Sequence, residues 1–272
     1  MEASSRAALV QVREALAEQA RGADGPALLA LADELFAVAR LLDRQLTLRR
    51  AMADAAGTPD DRAALVGRVL AGRVSDAALA LVEAVARQRW SKPIDLVDAT
   101  MTLATEASLD AADARGELDD VEDELFRFGR IVSGDQELAR VLSDRSASAE
   151  GKRALLERLL DGRVSPVTAQ LLRNVLTGPH VGHAETAVER LSEVASNRRG
   201  QSVARVTSAV ELAPAQEQRL AEVLGRMYDR TIGVQVTVDP SVLGGLIVRV
   251  GDEVIDGSIA HRLEAARRRL AG

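Results

Sequence analysis

The sequence predicts a mainly α-helical protein, with two tandem helical bundles followed by a small α+β C-terminal domain. Apolar residues make up 47% of the chain but aromatic residues only 2%, so its cores must consist of Ala, Leu and Val, and alanine favours helix intrinsically. Two motifs recur at one constant offset in the first two thirds of the chain, and strand-like alternation follows them. We therefore predict a first bundle at 1–104, a second bundle at 105–197 and the α+β domain at 198–272.

An internal repeat relates the two predicted bundles. Asp33-Glu-Leu-Phe36 recurs as Asp123-Glu-Leu-Phe126, and Gly72-Arg-Val-Ser75 recurs as Gly162-Arg-Val-Ser165. Both pairs are ninety positions apart without a gap, which chance identity in an alanine-rich chain rarely produces. We interpret the pattern as a duplication, with the first copy inside the first bundle and the second copy inside the second. Two copies are too few for a solenoid, so we expect two bundles with the same helix order.

Each copy carries matching signals for helix ends. Thr58-Pro59 predicts a helix start, with threonine as the N-cap and proline in the first turn. Ser75 and Ser165 are predicted N-caps at equivalent positions. Gly72 and Gly162 precede them, where a helix commonly stops on a residue with a positive φ. Short polar connections between these helices predict antiparallel neighbours in each bundle.

The junction between the copies is rich in acidic residues. The segment 94–128 contains no proline and one glycine, Gly116, so it is either one long helix or two helices that join near that glycine. Within it, the stretch 110–124 carries eight acidic side chains against Arg115 alone. Such a stretch is either a solvated helix face or an acidic surface for a basic partner.

The C-terminal region has the predicted order β-α-β-β-α. Strands are predicted at 202–210 and at 234–238, where valines alternate with polar residues. The segment 214–230 between them predicts an amphipathic helix. Its apolar side consists of Leu220, Val223, Leu224 and Met227.

A β-hairpin and a short basic helix end the sequence. Leu246 to Val250 is an apolar strand, Gly251-Asp252 suits a two-residue type II′ turn, and Glu253 to Ile255 returns antiparallel. Gly244-Gly245 gives this hairpin a flexible entry. Asp256-Gly257 forms the exit turn, after which Ser258 can cap the final helix.

The sequence of this hairpin is more specific than its predicted fold. From Asp239 to Ser258 it reads D-P-S-V-L-G-G-L-I-V-R-V-G-D-E-V-I-D-G-S. It resembles the C-terminal signature of the F-type ATP synthase delta subunit, whose mitochondrial counterpart is the oligomycin-sensitivity-conferring protein. The likeness runs from about Val203 onward, and the second copy stands where the family has its helical bundle, so the first copy departs from the family pattern. The signature positions are Asp239, Gly244, Gly245, Gly251, Asp256 and Gly257.

The resemblance implies a non-catalytic stator subunit of a proton-translocating F-type ATP synthase. As the family implies, the helical bundle would bind the N-terminal segment of an alpha subunit, and the C-terminal domain would bind the b-subunit helices of the peripheral stalk. Such a subunit is peripheral on the cytoplasmic face of the cell membrane. The alternative is a generic helical adaptor whose hairpin is only incidentally similar.

We assign the alpha-binding groove to the second copy, because this copy directly precedes the family-like hairpin. A partner helix would reach such a groove through anchors at i, i+3, i+4 and i+7, although apolar stripes of this kind also form bundle cores. The candidate groove residues are Leu118, Val121, Leu172 and Leu176. The candidate stalk-binding residues, apolar and basic, are Leu246, Val248, Arg262 and Arg267.

No residue pattern indicates catalysis, a cofactor or a metal, so we expect none of the three. The chain has no cysteine and no phosphate-binding Gly-x-x-x-x-Gly-Lys-Ser/Thr motif. His180 and His183 have a spacing that metals sometimes use, but the repeat places Trp90 and Pro93 at those positions. A surface loop and a metal site are the two alternatives for the histidines, and Glu185 lies nearby in the sequence.

Charge and hydropathy argue against nucleic acid and against a bilayer as direct partners of the chain. The net charge of −6 and the scarcity of aromatic stacking residues argue against a general nucleic-acid role. The N-terminal sequence predicts no signal peptide, and no uncharged apolar run approaches the length of a membrane span. We therefore expect membrane association only through partner subunits.

Overall fold

The protein folds into two compact units, Met1–Ser192 and Glu193–Gly272. The computed structural model describes residues 1–144, 146–178, 182–228, 232–239, 242, 244–250 and 253–256. These residues form twelve helices and four strands, and all four strands belong to the second unit. The predicted mainly helical fold with a small α+β C-terminal part is confirmed.

Eleven helices precede the first strand within the described residues. They are α1 (Ala3–Ala20), α2 (Gly25–Arg44), α3 (Leu46–Met52), α4 (Pro59–Leu70), α5 (Asp76–Arg87), α6 (Pro93–Ala114), α7 (Leu118–Gly134), α8 (Gln136–Ser143), α9 (Ala149–Leu160), α10 (Pro166–Leu176) and α11 (Ala184–Ser202). The sheet unit continues with β1 (Val203–Ser208), α12 (Pro214–Tyr228), β2 (Gly233–Val238), β3 (Leu246–Val250) and β4 (Glu253–Asp256). The boundary between the two units falls inside α11.

The duplication is visible in the helix bounds. Helices α4 and α9 begin and end ninety positions apart, and α5 and α10 begin at the same offset. The predicted stops after α4 and α9 are also equivalent, because Gly72 (φ 71°) and Gly162 (φ 63°) both adopt the positive φ that glycine permits. The predicted equality of helix order between 26–90 and 116–180 is therefore confirmed for the described residues.

Helix α6 lies at the centre of the helical unit and belongs to both copies. It is the sixth helix of the first copy and, ninety positions after α1, the first helix of the second. Of its 22 residues 13 are buried, on all sides, because α1, α2, α3 and α5 pack against it from one copy and α7 and α10 from the other. The predicted boundary at 104 lies inside α6. The acidic junction consists of two helices with Gly116 between them, which confirms the second of the two predicted alternatives.

The second unit is a four-stranded mixed sheet with the order β2-β1-β3-β4. β1 runs parallel to β2 and antiparallel to β3, and β3 is antiparallel to β4, as predicted for the hairpin. Helix α12 connects the parallel strands β1 and β2 and packs against the sheet. The small core consists of Ala204, Val206, Leu224, Ile232, Val248 and Val250.

Helix α12 buries less of its predicted apolar side than the pattern indicated. Leu224 is buried and Leu220 packs at the edge of the core, but Val223 is 38% and Met227 61% exposed. Only the stripe of α12 that faces the sheet core is covered, so the margin of its apolar side stays exposed. The predicted hairpin turn at Gly251-Asp252, the exit turn at Gly257 and the final helix from Ser258 lie outside the described residues.

Candidate partner interface

The four predicted groove residues of the second copy are core residues. Leu118, Val121, Leu172 and Leu176 are each at most 5% exposed. Helix α10 is enclosed because α2, α6, α7 and α9 all pack against it. These side chains therefore hold the bundle together.

The first copy covers one side of α10. Gln170 Nε2 donates to the carbonyl oxygen of Leu29 on α2 at 2.9 Å, and its Oε1 accepts from Ser108 Oγ on α6 at 2.9 Å. Arg40 Nη1, also on α2, donates to Asn174 Oδ1. Burial lowers the pKa of Arg40, with the nearby positive charge of Arg153 acting in the same direction. Helix α2 therefore covers one side of α6 and α10.

Helix α7 of the second copy leaves large apolar side chains exposed. Phe126 is 59% exposed and Ile131 57%, whereas Phe36, the repeat equivalent of Phe126, is fully buried. Only three phenylalanines occur in the sequence, so an exposed one stands out. Surface-exposed aromatic residues of this kind are enriched at protein interfaces.

A glutamate from the second helix of each copy caps the fifth helix. The carboxylate of Glu34 accepts from Ser75 N at 3.1 and 3.2 Å, and that of Glu124 accepts from Ser165 N at 2.9 and 3.0 Å. The serine hydroxyls accept in turn from Ala78 N and Thr168 N, as predicted for N-caps. The sequence patterns considered above did not indicate this role of the glutamates. Each lies in the repeated Asp-Glu-Leu-Phe motif, and each contacts the serine of the other repeated motif.

A buried cation occupies the same position in each copy but has different partners. Arg62 is 4% exposed and donates to the carbonyls of Ala86, Arg87 and Gln88 at the end of α5, and to those of Asp54 and Gly57. Lys152 is 7% exposed and donates to the carbonyl of Leu142 near the end of α8, at 2.6 Å. Burial lowers the pKa of Lys152, and the carboxylate of Asp144 opposes this in part. Both cations satisfy carbonyls that a helix end leaves without an intrahelical partner.

The acidic stretch 110–124 lies on the end of α6 and the start of α7. Asp119, Asp120 and Asp123 are exposed on α7, while Arg115 pairs with Glu117 at 2.8 Å in the turn between the helices. Acidic residues in a first turn also complement the positive end of the helix dipole. The exposed acids near Phe126 therefore combine a local role in α7 with a charged surface beside an apolar one.

In the sheet unit, two of the signature glycines form an entry to β3 with positive φ angles. Gly244 (φ 76°) and Gly245 (φ 83°) have backbone conformations that side chains rarely adopt. Asp239 N donates to the carbonyl of Ser208 at 2.8 Å, which holds the end of β2 against β1. Asp256 ends β4.

The structure also places two of the predicted stalk-binding residues. Val248 is buried in the sheet core and Leu246 packs partly against it. The exposed apolar side chains of this unit include Val210, Met227, Val238 and Val254. Arg262, Arg267, Gly251 and Gly257 lie outside the described residues.

The described residues near the histidines hold no metal-ligand cluster. His183 is exposed and lines an open surface depression with Arg140, Asp144 and Glu185, and His180 lies outside the described residues. No group of three or more His, Cys, Asp and Glu side chains suited to a metal occurs in the part of the chain that the structure describes. Trp90, at the repeat position of His180, is 8% exposed and donates from Nε1 to the carbonyl of Val85 at 2.9 Å, as expected of a core residue.

Among residues with described structure, no helix combines the length and the apolar character required to cross a bilayer. The longest, α6, has 22 residues but carries several acidic side chains.

Comparison with known proteins gives matches over part and over all of the chain. A family model described as the ATP synthase delta (OSCP) subunit matches residues 105–270. The ATP synthase subunit delta of Streptomyces griseus is 46% identical over 272 residues, which are all of both chains. That of Streptomyces coelicolor is 47% identical, with all of this chain and 98% of the relative covered, and that of Nocardia farcinica is 45% identical with both chains covered in full. Residues 1–104 lie outside the family-model match but inside these longer ones, so the relatives share the first copy.

Proposed function

The chain belongs to the ATP synthase delta (OSCP) subunit family, and on that premise we propose that its helical unit binds the alpha subunit of the catalytic head while its sheet unit binds the b helices of the peripheral stalk. Membership makes it a non-catalytic peripheral-stalk subunit of an F-type ATP synthase, and a peripheral component of a membrane-bound complex. Membership of this family also excludes the alternative of a generic helical adaptor. In our proposal the chain acts on the cytoplasmic face of the membrane.

One observation carries this division of roles: the chain has two compact units, and the sheet unit has a small core of its own. A family-model match from 105 to 270 includes the second copy and the sheet unit together, so both belong to the shared machinery. A stator has to resist torque between two partners. A packed helical unit and a four-stranded sheet supply surfaces for this task, and the task requires no ionisable catalyst.

Exposed apolar side chains of the sheet unit supply the surface for the stalk. Met227 on α12 is 61% exposed, Val254 on the edge strand β4 49% and Val238 at the end of the other edge strand, β2, 46%. An amphipathic stalk helix can cover such residues with its apolar face. Val248, which we first assigned to the stalk, belongs to the core of this unit, and Leu246 packs against that core.

A pair of glycine substitutions in the full chain tests the division. Gly245→Val places a β-branched residue at a φ of 83° in the sheet unit, and Gly72→Val does the same at 71° in the helical unit. Such backbone strain costs on the order of 1–3 kcal/mol. We expect Gly245→Val to weaken binding of the soluble b fragment while alpha binding is retained. Gly72→Val, the matched control, should leave b binding unchanged.

The two binding measurements separate the possible failures. Each of the two variants is tested in pull-downs with purified alpha subunit and, separately, with the soluble part of b. If Gly245→Val abolishes alpha binding while its helical circular-dichroism signal is retained, the roles are wrongly divided. If the unsubstituted chain binds neither partner, the proposal as a whole is wrong.

A further inference from the structure

We infer that the first copy acts as an intramolecular brace for the second. It covers α6 and α10, so that residues 1–192 fold and unfold as one cooperative unit. The family-model match begins at residue 105, and the brace gives the additional copy before it a role inside the chain. This role concerns contacts within the helical unit, so it does not depend on which partner subunit each unit binds.

The equivalent helices α1 and α6 show how the sequence is adapted to this cover. Four of the 18 residues of α1 are buried, but 13 of the 22 residues of α6, against which α2 and α3 of the first copy also pack. Three fully or almost fully buried leucines of α6 replace exposed polar residues of α1. The pairs, ninety positions apart, are Leu96 with Arg6, Leu103 with Arg13, and Leu109 with Gln19. The sequence of α6 is therefore that of a helix covered at positions where α1 meets water.

Gln170 on α10 links three helices from the two copies. Its side chain donates to the carbonyl oxygen of Leu29 on α2 and accepts from Ser108 on α6, both at 2.9 Å. It is 2% exposed, and a buried carboxamide is costly unless its polar groups are hydrogen-bonded. The equivalent residue of α5 is Ala80, which is exposed. The carboxamide therefore belongs to the contact between the copies and not to the bundle pattern that both copies share.

Helix α2 is held at both of its ends. Near its C-terminal end, Arg40 donates to the side-chain oxygen of Asn174 on α10. At its N-terminal end, Gly25 lies against the end of α6. A Cβ atom at Gly25 would be 2.7 Å from side-chain carbons of Arg115 and 3.1 Å from the carbonyl oxygen of Ala111, so the two helices approach closely there. The contacts of α2 with α6 and α10 therefore extend along most of its length.

These contacts make the stability of each copy depend on the other. Unfolding of the first copy alone would expose the buried leucines of α6 to water and would leave Gln170 without its partner on α2. Both changes are unfavourable, because apolar area would be hydrated and a buried polar group would lose a hydrogen bond. The two copies should therefore open together, and a loss of stability in the first copy should be measurable in the second.

Hydrogen–deuterium exchange of the full chain, measured by mass spectrometry, tests the brace. Leu70→Ala truncates a buried side chain of α4, which packs against α3 and α5 of the first copy. We expect the slowest amides of α10 to exchange faster by about thirtyfold or more, and those of α4 by the same factor. Leu160→Ala is the matched substitution on α9, ninety positions later, and should accelerate the slowest amides of α4 as well.

Substitution of Gln170 tests the contact between the copies. We expect Gln170→Ala to accelerate the slowest amides of both α2 and α10 by about tenfold, because it removes a buried group that is hydrogen-bonded to both copies. Gln11→Ala is the matched control. It removes a glutamine that is exposed on α1 and should leave the exchange of both helices unchanged.

Two results would overturn the inference. Faster exchange in α4 but not in α10 after Leu70→Ala would show that the copies unfold separately. Faster exchange in α10 but not in α2 after Gln170→Ala would show that this contact does not couple them. If Leu70→Ala gives no folded chain by circular dichroism, Val66→Ala on the same helix replaces it, because it removes less of a buried side chain. Neither measurement involves a partner subunit, so failure of the brace leaves the proposed function standing.

Discussion

The first and second copies have the same helix order and the same glutamate-to-serine cap, yet they differ in the solvent exposure of equivalent phenylalanines. Phe36 of the first copy is fully buried, and Phe126 of the second is 59% exposed. Helices α6 and α10 pack against both α2 and α7, but α6 packs far more extensively against α2. A duplicated sequence therefore gives two equivalent helices that differ in how much of each is covered by its neighbours.

Burial of a residue in one copy and exposure of its equivalent in the other show that the repeat alone does not determine burial. The contacts that maintain each bundle, such as Glu34 with Ser75 and Glu124 with Ser165, are kept in both copies and so serve the fold.

Truncation of the two phenylalanines should give the largest difference between the copies. Phe36→Ala removes a fully buried ring and should lower the free energy of unfolding by about 3–5 kcal/mol. Phe126→Ala should change it by less than about 0.5 kcal/mol, because the ring is largely in water. Urea titrations followed by circular dichroism measure both. Equal losses would show that Phe126 is covered in solution.

The buried cations should give the next largest difference. Arg62→Met leaves backbone carbonyls at the end of α5 without their donor and should cost about 2–4 kcal/mol. Lys152→Met removes one such bond but also a charge that is costly to bury, so its net effect should be within about 1 kcal/mol. The same urea titrations apply. A larger loss for Lys152→Met than for Arg62→Met would contradict this account of the two sites.

The pH dependence of the lysine variant sharpens that comparison. Burial lowers the pKa of Lys152 in the fold below its value of about 10.4 in the unfolded chain, so the protonated form is disfavoured by folding. The free energy of unfolding of the unsubstituted protein therefore increases as the pH rises from the folded-state pKa of Lys152 towards about 10.4. Any advantage of Lys152→Met should shrink over that interval. An advantage that grows with pH there would mean that the lysine is better solvated than its position implies.

The helix caps should give the smallest difference, because both copies retain them. Ser75→Ala and Ser165→Ala should each cost about 1 kcal/mol, and the two losses should agree within about 0.5 kcal/mol. Differential scanning calorimetry of the two variants provides the check. Losses that differ by more than about 1 kcal/mol would show that the copies do not share this contact in solution.

Sequence patterns predicted the local structure well where neighbours in the chain decide it. The caps at Ser75 and Ser165, the glycine stops, the strand at 234–238 and the antiparallel hairpin all depend on residues close in sequence. The contacts of Glu34 and Glu124 with the capping serines could also have been predicted. Two motifs that recur at the same separation in both copies suggest that the motifs contact each other.

Burial across the bundle could not be predicted in the same way. Leu118, Val121, Leu172 and Leu176 form an apolar pattern that fits a groove and a core equally well, and only the packing of α2 and α6 on α10 decides between the two. The sequence also could not show that α6 belongs to both copies. A helix that is buried on all sides lacks the amphipathic pattern that would indicate which side faces its neighbours.

The central claim is that this chain couples the catalytic head to the stalk, and proton pumping by membrane vesicles tests it most directly. Vesicles carrying the ATP synthase of the same organism are depleted of this chain, and ATP hydrolysis and ATP-driven acidification are then measured with and without the purified chain. A stator role predicts that hydrolysis continues without the chain, that acidification is lost, and that adding the chain back restores it. Acidification that proceeds at an unchanged rate in vesicles lacking the chain would contradict the account.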